Sequence, residues 1–537
     1  MTDRPVPPGL ADSARQGLTL SFWADRQPDA QAIIADAGTR TFGELNARAN
    51  QLARALRRRG LSTGDAVALL CPNRPEFVEA VAAGQRAGLR LTTVNWHLTA
   101  DEAGYIVEDC DARAVIADRS LGDVAAEAAR RARVQFGLAV GGDIPGFDPY
   151  EEALAGEDVD DIDDPTIGST MLYTSGTTGR PKGVYRPPEA AAAIASAALA
   201  SNLFGYEPGR SVHLCTGPLY HAAPLAFSLS IPLGMGASVV LMNGWEAEAT
   251  LALVDQHRVT HTHLVPTMFH RLLALPEDVR AKYDLRSLRH VMHGAAPCPV
   301  PIKRAFIEWV GPIVHEYYAA TEGIGTFVDS PTWLAKPGTV GQVLPPGQII
   351  IGDDSGRPLG PNQVGLIYLK APSSARFTYH KAQRETAAAY RGDRFTLGDV
   401  GYIDDDGYLY LTDRSADLII SGGVNIAPSE VDGVLLLHPA VGDVATIGRP
   451  SEEWGEEVLA VVQVAPGIQA SPTLAAELIE FCRRRLAGYK CPRAIDFIDA
   501  VPRHDSGKLY RRVLRDRYRS ADAAPGGSGV APDGPTE

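Results

Sequence analysis

The sequence predicts an α/β protein of two units, a large N-terminal domain of parallel-rich sheets with helices and a small α+β C-terminal domain. Three observations carry that expectation. Helical and strand-like stretches alternate along most of the chain, the signature of βαβ units and parallel sheet. Around Asp399–Asp417 the texture changes to the tight Gly- and Asp-rich turns of an antiparallel hairpin, ending in a polar, hinge-like segment before a second, shorter alternation. The 537 residues also exceed what one core supports.

Taken in order, residues 1–20 show no periodic pattern and are expected to be loose. In 41–60, Leu45, Ala49, Leu52, Ala53 and Leu56 fall on one stripe at helical spacing. Thr41 with Glu44 reads as a capping box and Gly60 as the stop. The apolar run 66–71 reads as a buried strand, followed by a helix from about Pro75 to Ala87. Further strand-like runs lie at 114–117, 238–242 and 263–265, and the acidic stretch 156–165 reads as an exposed connection. After the hinge, a helix, two strands and a helix over 471–487 form the small unit. The expected limits are 21–413 for the N-terminal domain, 414–519 for a mobile C-terminal domain and 520–537 for a disordered tail rich in Pro, Gly and Ser.

The surplus of 65 acidic over 51 basic side chains, net charge -14, speaks against nucleic acid as a partner, because that role needs excess Lys and Arg facing phosphate. Six cysteines without C-x-x-C spacing read as reduced, mostly buried thiols. The polar, Pro-bearing N-terminus lacks the apolar core of a signal peptide. No run approaches the roughly 18 apolar residues of a membrane span. The expectation is a cytoplasmic protein without a membrane span.

The strongest chemical signal is Tyr173-Thr-Ser-Gly-Thr-Thr-Gly-Arg-Pro-Lys-Gly183. Hydroxyls at Thr174, Ser175, Thr177 and Thr178 are interleaved with Gly176 and Gly179 and followed by Lys182. Small residues let backbone N–H groups approach an anion, hydroxyls add donors, and the lysine adds charge, which together make a phosphate cradle. It is not a Walker loop, since Gly183 follows Lys182 where Ser or Thr is required.

This segment resembles the phosphate loop of the adenylate-forming superfamily, which includes acyl-CoA synthetases, amino-acid adenylation domains and beetle luciferases. Four further motifs follow in the family's order: Tyr318-Ala-Ala-Thr-Glu322, Phe395-Thr-Leu-Gly-Asp399, Asp413-Arg414 with the glycine-loop segment after it, and Pro502-Arg-His-Asp-Ser-Gly-Lys508. The resemblance runs from about residue 20 to 515. It implies a distorted β-barrel within the large domain and ATP-dependent activation of a carboxylic acid, fatty or aryl, as acyl-AMP. Pyrophosphate is released, and the acyl group then passes to the thiol of coenzyme A.

The resemblance also implies the roles. Lys508 reaches the α-phosphate and the substrate carboxylate, Thr321 contacts the α-phosphate and Glu322 holds Mg²⁺. Such a reaction needs positioning and charge neutralisation more than bond-making help. Asp399 accepts the ribose hydroxyls and Arg414 donates to the same ribose. Tyr318 stacks on adenine, with Gly294, Ala295, Ala296 and Pro297 as the other wall. His221, in Pro218-Leu-Tyr-His-Ala-Ala-Pro224, stands at the junction of acyl pocket and thiol entry, with a hydrogen-bonded packing residue as the plainer alternative. Ala222, Phe227 and Ala319 belong to the acyl pocket, and Ser421, Gly422 and Gly423 meet the pantetheine arm once the C-terminal domain has rotated.

Three positions depart from the family pattern. Ala319 replaces a glycine and adds a methyl beside the acyl channel. Leu397 stands where the Thr-Gly-Asp motif begins, with Thr396 one place early. Ala416 occupies the hinge position that often carries Asp or Lys. The segment LYHAAPLAFSL has no acidic residue to pair a substrate ammonium, which speaks against an α-amino acid because an unpaired buried charge costs several kcal/mol. Alternatives to coenzyme A remain: a phosphopantetheine arm on an acyl carrier protein, a luciferase-like oxygenase, and a nucleotide-binding relative without catalysis.

Overall fold

The structure, a computed structural model, describes residues 7–174, 180–189, 204–343, 347–370, 376–414, 417–421, 424–451, 454–503, 507 and 509–522, and the backbone alone at Ile324, Asp413, Arg414, Asn425 and 519–522. The start of the chain corrects one expectation. Residues 10–20 are not loose: helices Leu10–Arg15 and Thr19–Ala24 form there. Leu10 and Ala14, one turn apart on the same edge, are buried in the main core, which holds the segment down. At the other end the helix Arg511–Asp522 runs past the expected limit at 519.

Two parallel sheets form the large unit. The first has six strands in the order Asp148–Pro149, Phe136–Val140, Ala112–Asp118, Ala66–Leu70, Arg90–Thr93 and Ser169–Thr170, every neighbouring pair parallel. The second has an antiparallel edge strand, Gly38–Thr41, beside Gln31–Ala35, and from there passes through Ser238–Leu241, Val212–Cys215, His261–Leu264, His290–His293 and Val314–Ala320, all parallel. Helices Phe42–Arg58 and Pro75–Arg86 fill the space beside them, contributing Leu45, Leu52, Leu56, Phe77 and Val78 to one buried cluster. The first of these has the capping box anticipated at Thr41 and Glu44, and all five residues of its expected apolar stripe are buried. The acidic connection 156–165 is exposed but pinned: Asn46 and Asn50 donate to Asp161, and Arg57 pairs with Asp164 at 2.6 Å.

At Gly323–Val328 the second sheet turns antiparallel and continues through Thr339–Val343, Leu409–Arg414, Asp399–Ile403 and Gly365–Lys370. The barrel implied above takes this form; among the described residues no ladder closes it. The C-terminal unit has its own five-stranded sheet. The long hairpin Val441–Ser451 and Gly455–Val464 is its spine, and helices Pro428–Leu435 and Pro472–Arg483 cover its core.

Strand register brings the motif-bearing loops together. Cys215 pairs His263, Leu264 pairs His293, and His293 pairs Glu316, so the chain leaves each of these strands at the same edge of the sheet. That edge is the carboxyl end of the parallel strands, where open α/β sheets bind ligands.

Candidate active site

The phosphate-loop motif is a hairpin. Strands Leu172–Thr174 and Lys182–Tyr185 pair antiparallel with Thr174 opposite Lys182, so the two residues form the base of the loop. The tip, Ser175, Gly176, Thr177, Thr178 and Gly179, lies outside the described residues. A third strand, Thr378–Tyr379, pairs with the Lys182 strand and sets Tyr379 opposite Val184. This Tyr379, which no sequence motif singles out, ties the site together. Its ring lies 5.4 Å from Lys182 Nζ, and its hydroxyl donates to Glu322 Oε1 at 2.9 Å. Burial first, and the adjoining Glu322 carboxylate second, push its phenol well above the ordinary range. Arg186, one residue beyond the hairpin, donates from Nη2 to the Thr321 carbonyl oxygen at 2.9 Å. Burial draws its guanidinium below the usual value, with Glu322 opposing. The hairpin and the Thr321–Glu322 turn are thus fastened by two side chains, one on each of two elements.

Glu322 is buried, at 6% exposure, so its carboxylate is aimed inward rather than solvated. Among the described residues no group of three His, Cys, Asp or Glu side chains could hold a metal ion by itself. A single carboxylate fits a magnesium ion that arrives with nucleotide phosphates, because that ion takes most of its ligands from phosphate and water.

At the other end, Tyr318 donates from Oη to Asp399 Oδ2 at 2.7 Å. Asp399 lies directly across the hairpin from Arg414 in the backbone register. The loop after strand His290–His293 carries Gly294, Ala295, Ala296 and Pro297. A Cβ at Gly294 would stand 2.6 Å from Tyr317 Cζ and 2.7 Å from its carbonyl oxygen, so only glycine allows this approach. Ala295 follows at φ +68°, a left-handed conformation uncommon for a residue that carries a Cβ. The displaced threonine shapes its own loop, since Thr396 Oγ1 accepts from the Gly398 backbone N–H at 3.2 Å, while Leu397 packs into the antiparallel core.

His221 closes a turn after strand Val212–Cys215, and Ala222 opens the helical segment that follows. Asn73, a second residue that no motif marks, holds that turn: Nδ2 donates to Gly217 O at 2.9 Å and Oδ1 accepts from Leu219 N–H at 2.9 Å. The His221 ring lies 4.4 Å from Tyr220, which meets Trp96 edge-on at 4.5 Å. Next comes a π-helical turn, Pro224–Ser230, a rare form that recurs at functional sites, and it carries Phe227. Ala319 and Phe227 both pack against the main core.

In the C-terminal unit, Ser421 pairs with Val424 and Gly455 within its sheet. Gly422, Gly423, Ala416 and Lys508 lie outside the described residues. Gly507, next to Lys508, is described. It has φ +77°, and a Cβ there would lie 2.8 Å from Val265 Cγ2, just past the end of strand His261–Leu264. Arg503 binds Asp443 through two contacts of 2.6 Å and donates to the Gly507 carbonyl at 2.7 Å, which fixes that approach.

Comparison with known proteins identifies the class. The family described as AMP-binding enzyme matches residues 20–379, and the AMP-binding enzyme C-terminal domain matches 430–508. The chain belongs to this adenylate-forming family. It is 36% identical to a 2-succinylbenzoate–CoA ligase of Geobacillus kaustophilus over 506 residues, 93% of this chain and 98% of that protein. It is 32% identical to a fatty acid–acyl-carrier-protein ligase of Streptomyces coeruleorubidus over 508 residues, covering 93% and 96%. The solved structure of o-succinylbenzoate CoA synthetase from Bacillus subtilis with its acyl-adenylate intermediate superposes at TM-score 0.78, with 30% identity over 93% of this chain and 98% of that one. The two-unit α/β fold is the fold of these enzymes.

Proposed function

We propose that this chain is an AMP-forming acid–thiol ligase that converts a carboxylic acid, fatty or aryl, to acyl-AMP and then to the thioester of coenzyme A. The observation that supports it most is the joining of two motif elements, the phosphate-loop hairpin and the Thr321–Glu322 turn. Thr174 and Lys182 at the hairpin base are fastened to Thr321 and Glu322 by Tyr379 and Arg186.

In the first step a carboxylate oxygen attacks the α-phosphorus of ATP and pyrophosphate leaves. Lys182 and the loop tip at 175–179 hold the outgoing phosphates. Lys508 and Thr321 neutralise the α-phosphoryl oxygens, where charge builds in the transition state. Glu322 holds the magnesium ion, which supplies charge neutralisation at the phosphates. Tyr318, the 294–297 loop, Asp399 and Arg414 fix the adenosine. In the second step the thiol sulfur attacks the acyl carbon and AMP leaves with the bonding pair. The C-terminal unit rotates between the steps about the hinge near Ala416, withdrawing Lys508 and presenting Ser421, Gly422 and Gly423 to the pantetheine arm. The chain is read as a cytoplasmic enzyme; among the described residues no helix is long and apolar enough to cross a membrane.

A second reading, transfer to the phosphopantetheine arm of an acyl carrier protein, is favoured by the relative that bears that name. Acid-dependent pyrophosphate release, measured alone, with coenzyme A and with a carrier protein whose phosphopantetheine thiol is free, separates them. Acceleration by coenzyme A is the expected result. Acceleration only by the carrier protein would favour the second reading, and no release with any acid would defeat both.

A further inference from the structure

The loop that carries Gly294, Ala295, Ala296 and Pro297 runs from the end of strand His290–His293 to the start of helix Val300–Val310, and both of its ends are tied to one carboxylate. At the near end, His293 lies directly opposite Glu316 in the parallel register. At the far end, Lys303, in the first turn of the helix, donates from Nζ to Glu316 Oε2 at 2.6 Å. Lys303 and Glu316 stand at 0% and 5% exposure, so the pair is closed off from water. The ammonium also lies 4.5 Å from the centroid of the Trp333 ring, a second contact that fixes it.

Glu316 stands two places before Tyr318 on the same strand, and alternate residues of a strand share a face. The carboxylate therefore links the two walls assigned to the adenosine site: Tyr318 along its own strand, and the 294–297 loop through register and ion pair. His293 adds no charge there. Its Nε2 is 3.6 Å from Glu316 Oε2, too long for a hydrogen bond, and burial first, with Lys303 second, holds the imidazole well below its ordinary value and so neutral. Among the described residues Lys303 is thus the one cation that Glu316 meets.

A buried ion pair adds little net stability, because lost hydration offsets the attraction. What this one fixes is distance. A 2.6 Å contact between helix and strand sets the height of the helix start, and so of the loop before it, over the strand that delivers Tyr318. The loop has little slack to resettle, since a Cβ at Gly294 would already stand 2.6 Å from Tyr317 Cζ.

Resting on the adenosine-binding roles proposed above, we infer that Glu316 and Lys303 are positioning residues of the nucleotide site: their ion pair holds the 294–297 loop at the spacing from Tyr318 that adenine requires. They act on the adenosine part of the nucleotide and not on its phosphates.

The test is equilibrium binding by calorimetry with the full chain. AMP reports the adenosine contacts, and inorganic pyrophosphate with Mg²⁺ reports the phosphate contacts. Glu316→Gln keeps an oxygen acceptor for Lys303 and removes the charge. Lys303→Met with Glu316→Leu removes the pair without leaving a lone buried charge, the change that most threatens folding. The double variant is expected to melt within about 5 °C of the wild type and to bind AMP about tenfold more weakly, with pyrophosphate affinity changed by less than about twofold. Glu316→Gln is expected to fall between, and it decides the matter by the same comparison if the double variant does not fold. Equal loss for both ligands would make the pair a general brace and overturn the inference, as would unchanged AMP binding. A wild-type chain that does not bind AMP would defeat the adenosine roles themselves. Neither ligand needs the acid, so a chain that releases pyrophosphate with no acid would lose the ligase reading and leave this comparison standing.

Discussion

Tyr318 and Asp399 show how much a single contact sets in this site. The tyrosine stands at the end of a strand, the aspartate starts a hairpin, and a 2.7 Å hydrogen bond joins the ring to the carboxylate. Tyr318→Phe keeps the ring and removes this bond to the carboxylate. A hydrogen bond to a charged group contributes about 1.5 kcal/mol, so the KM for ATP should rise by roughly tenfold while kcat changes less. An unchanged KM for ATP would show that this bond does not organise the nucleotide site. At this scale the motif residues stand out in the sequence because their chemistry is local: Lys182, Glu322 and Asp399 are charged side chains set among small, hydroxyl-bearing or aromatic neighbours. Tyr379, Arg186 and Asn73 were not legible. Each acts on a residue more than 50 positions away, and nothing in its neighbourhood marks it.

Among elements, the parallel strands of the second sheet carry an unusual burden of imidazole. Tyr206, His261, His290, His315 and Phe327 stack in sequence across them, at 4.1, 5.5, 4.0 and 5.5 Å. Burial lowers these histidines to about 3 for His261 and His315 and about 4 for His263 and His290. The folded state therefore keeps them neutral, while the unfolded chain takes up protons near pH 6.5. Stability is full above that pH and is lost as pH falls from about 6.5 towards 4. Of these four, the two most enclosed, His261 and His263, together cost about 3 kcal/mol per pH unit in that window. Denaturant unfolding followed from pH 7 to pH 5 should show this loss, and a flat profile would contradict it. The helices and strands themselves were readable where a period or a cap announced them, as in Phe42–Arg58 with its capping box. The N-terminal helices escaped notice because six-residue elements span too few turns to show a period, and their burial depends on the core of a distant segment.

For the whole molecule, the two-unit plan was legible from the change in texture near Asp399–Asp417. The approach of the units was not, because it depends on surfaces far apart in the chain. Gly507, the residue before Lys508, lies against Val265 at the carboxyl edge of the parallel sheet, with Arg503 and Asp443 behind it. The proposed first half-reaction needs Lys508 at that edge. The most direct measurement uses a substrate acid labelled with heavy oxygen in its carboxylate, incubated with ATP, Mg²⁺ and coenzyme A. Attack of the carboxylate on the α-phosphorus leaves one acid oxygen on the phosphate of AMP once the thiol has displaced it, so AMP should emerge carrying a single label. Label found in inorganic phosphate, with ADP as the nucleotide product, or unlabelled AMP beside a labelled acid, would contradict activation through an acyl-adenylate.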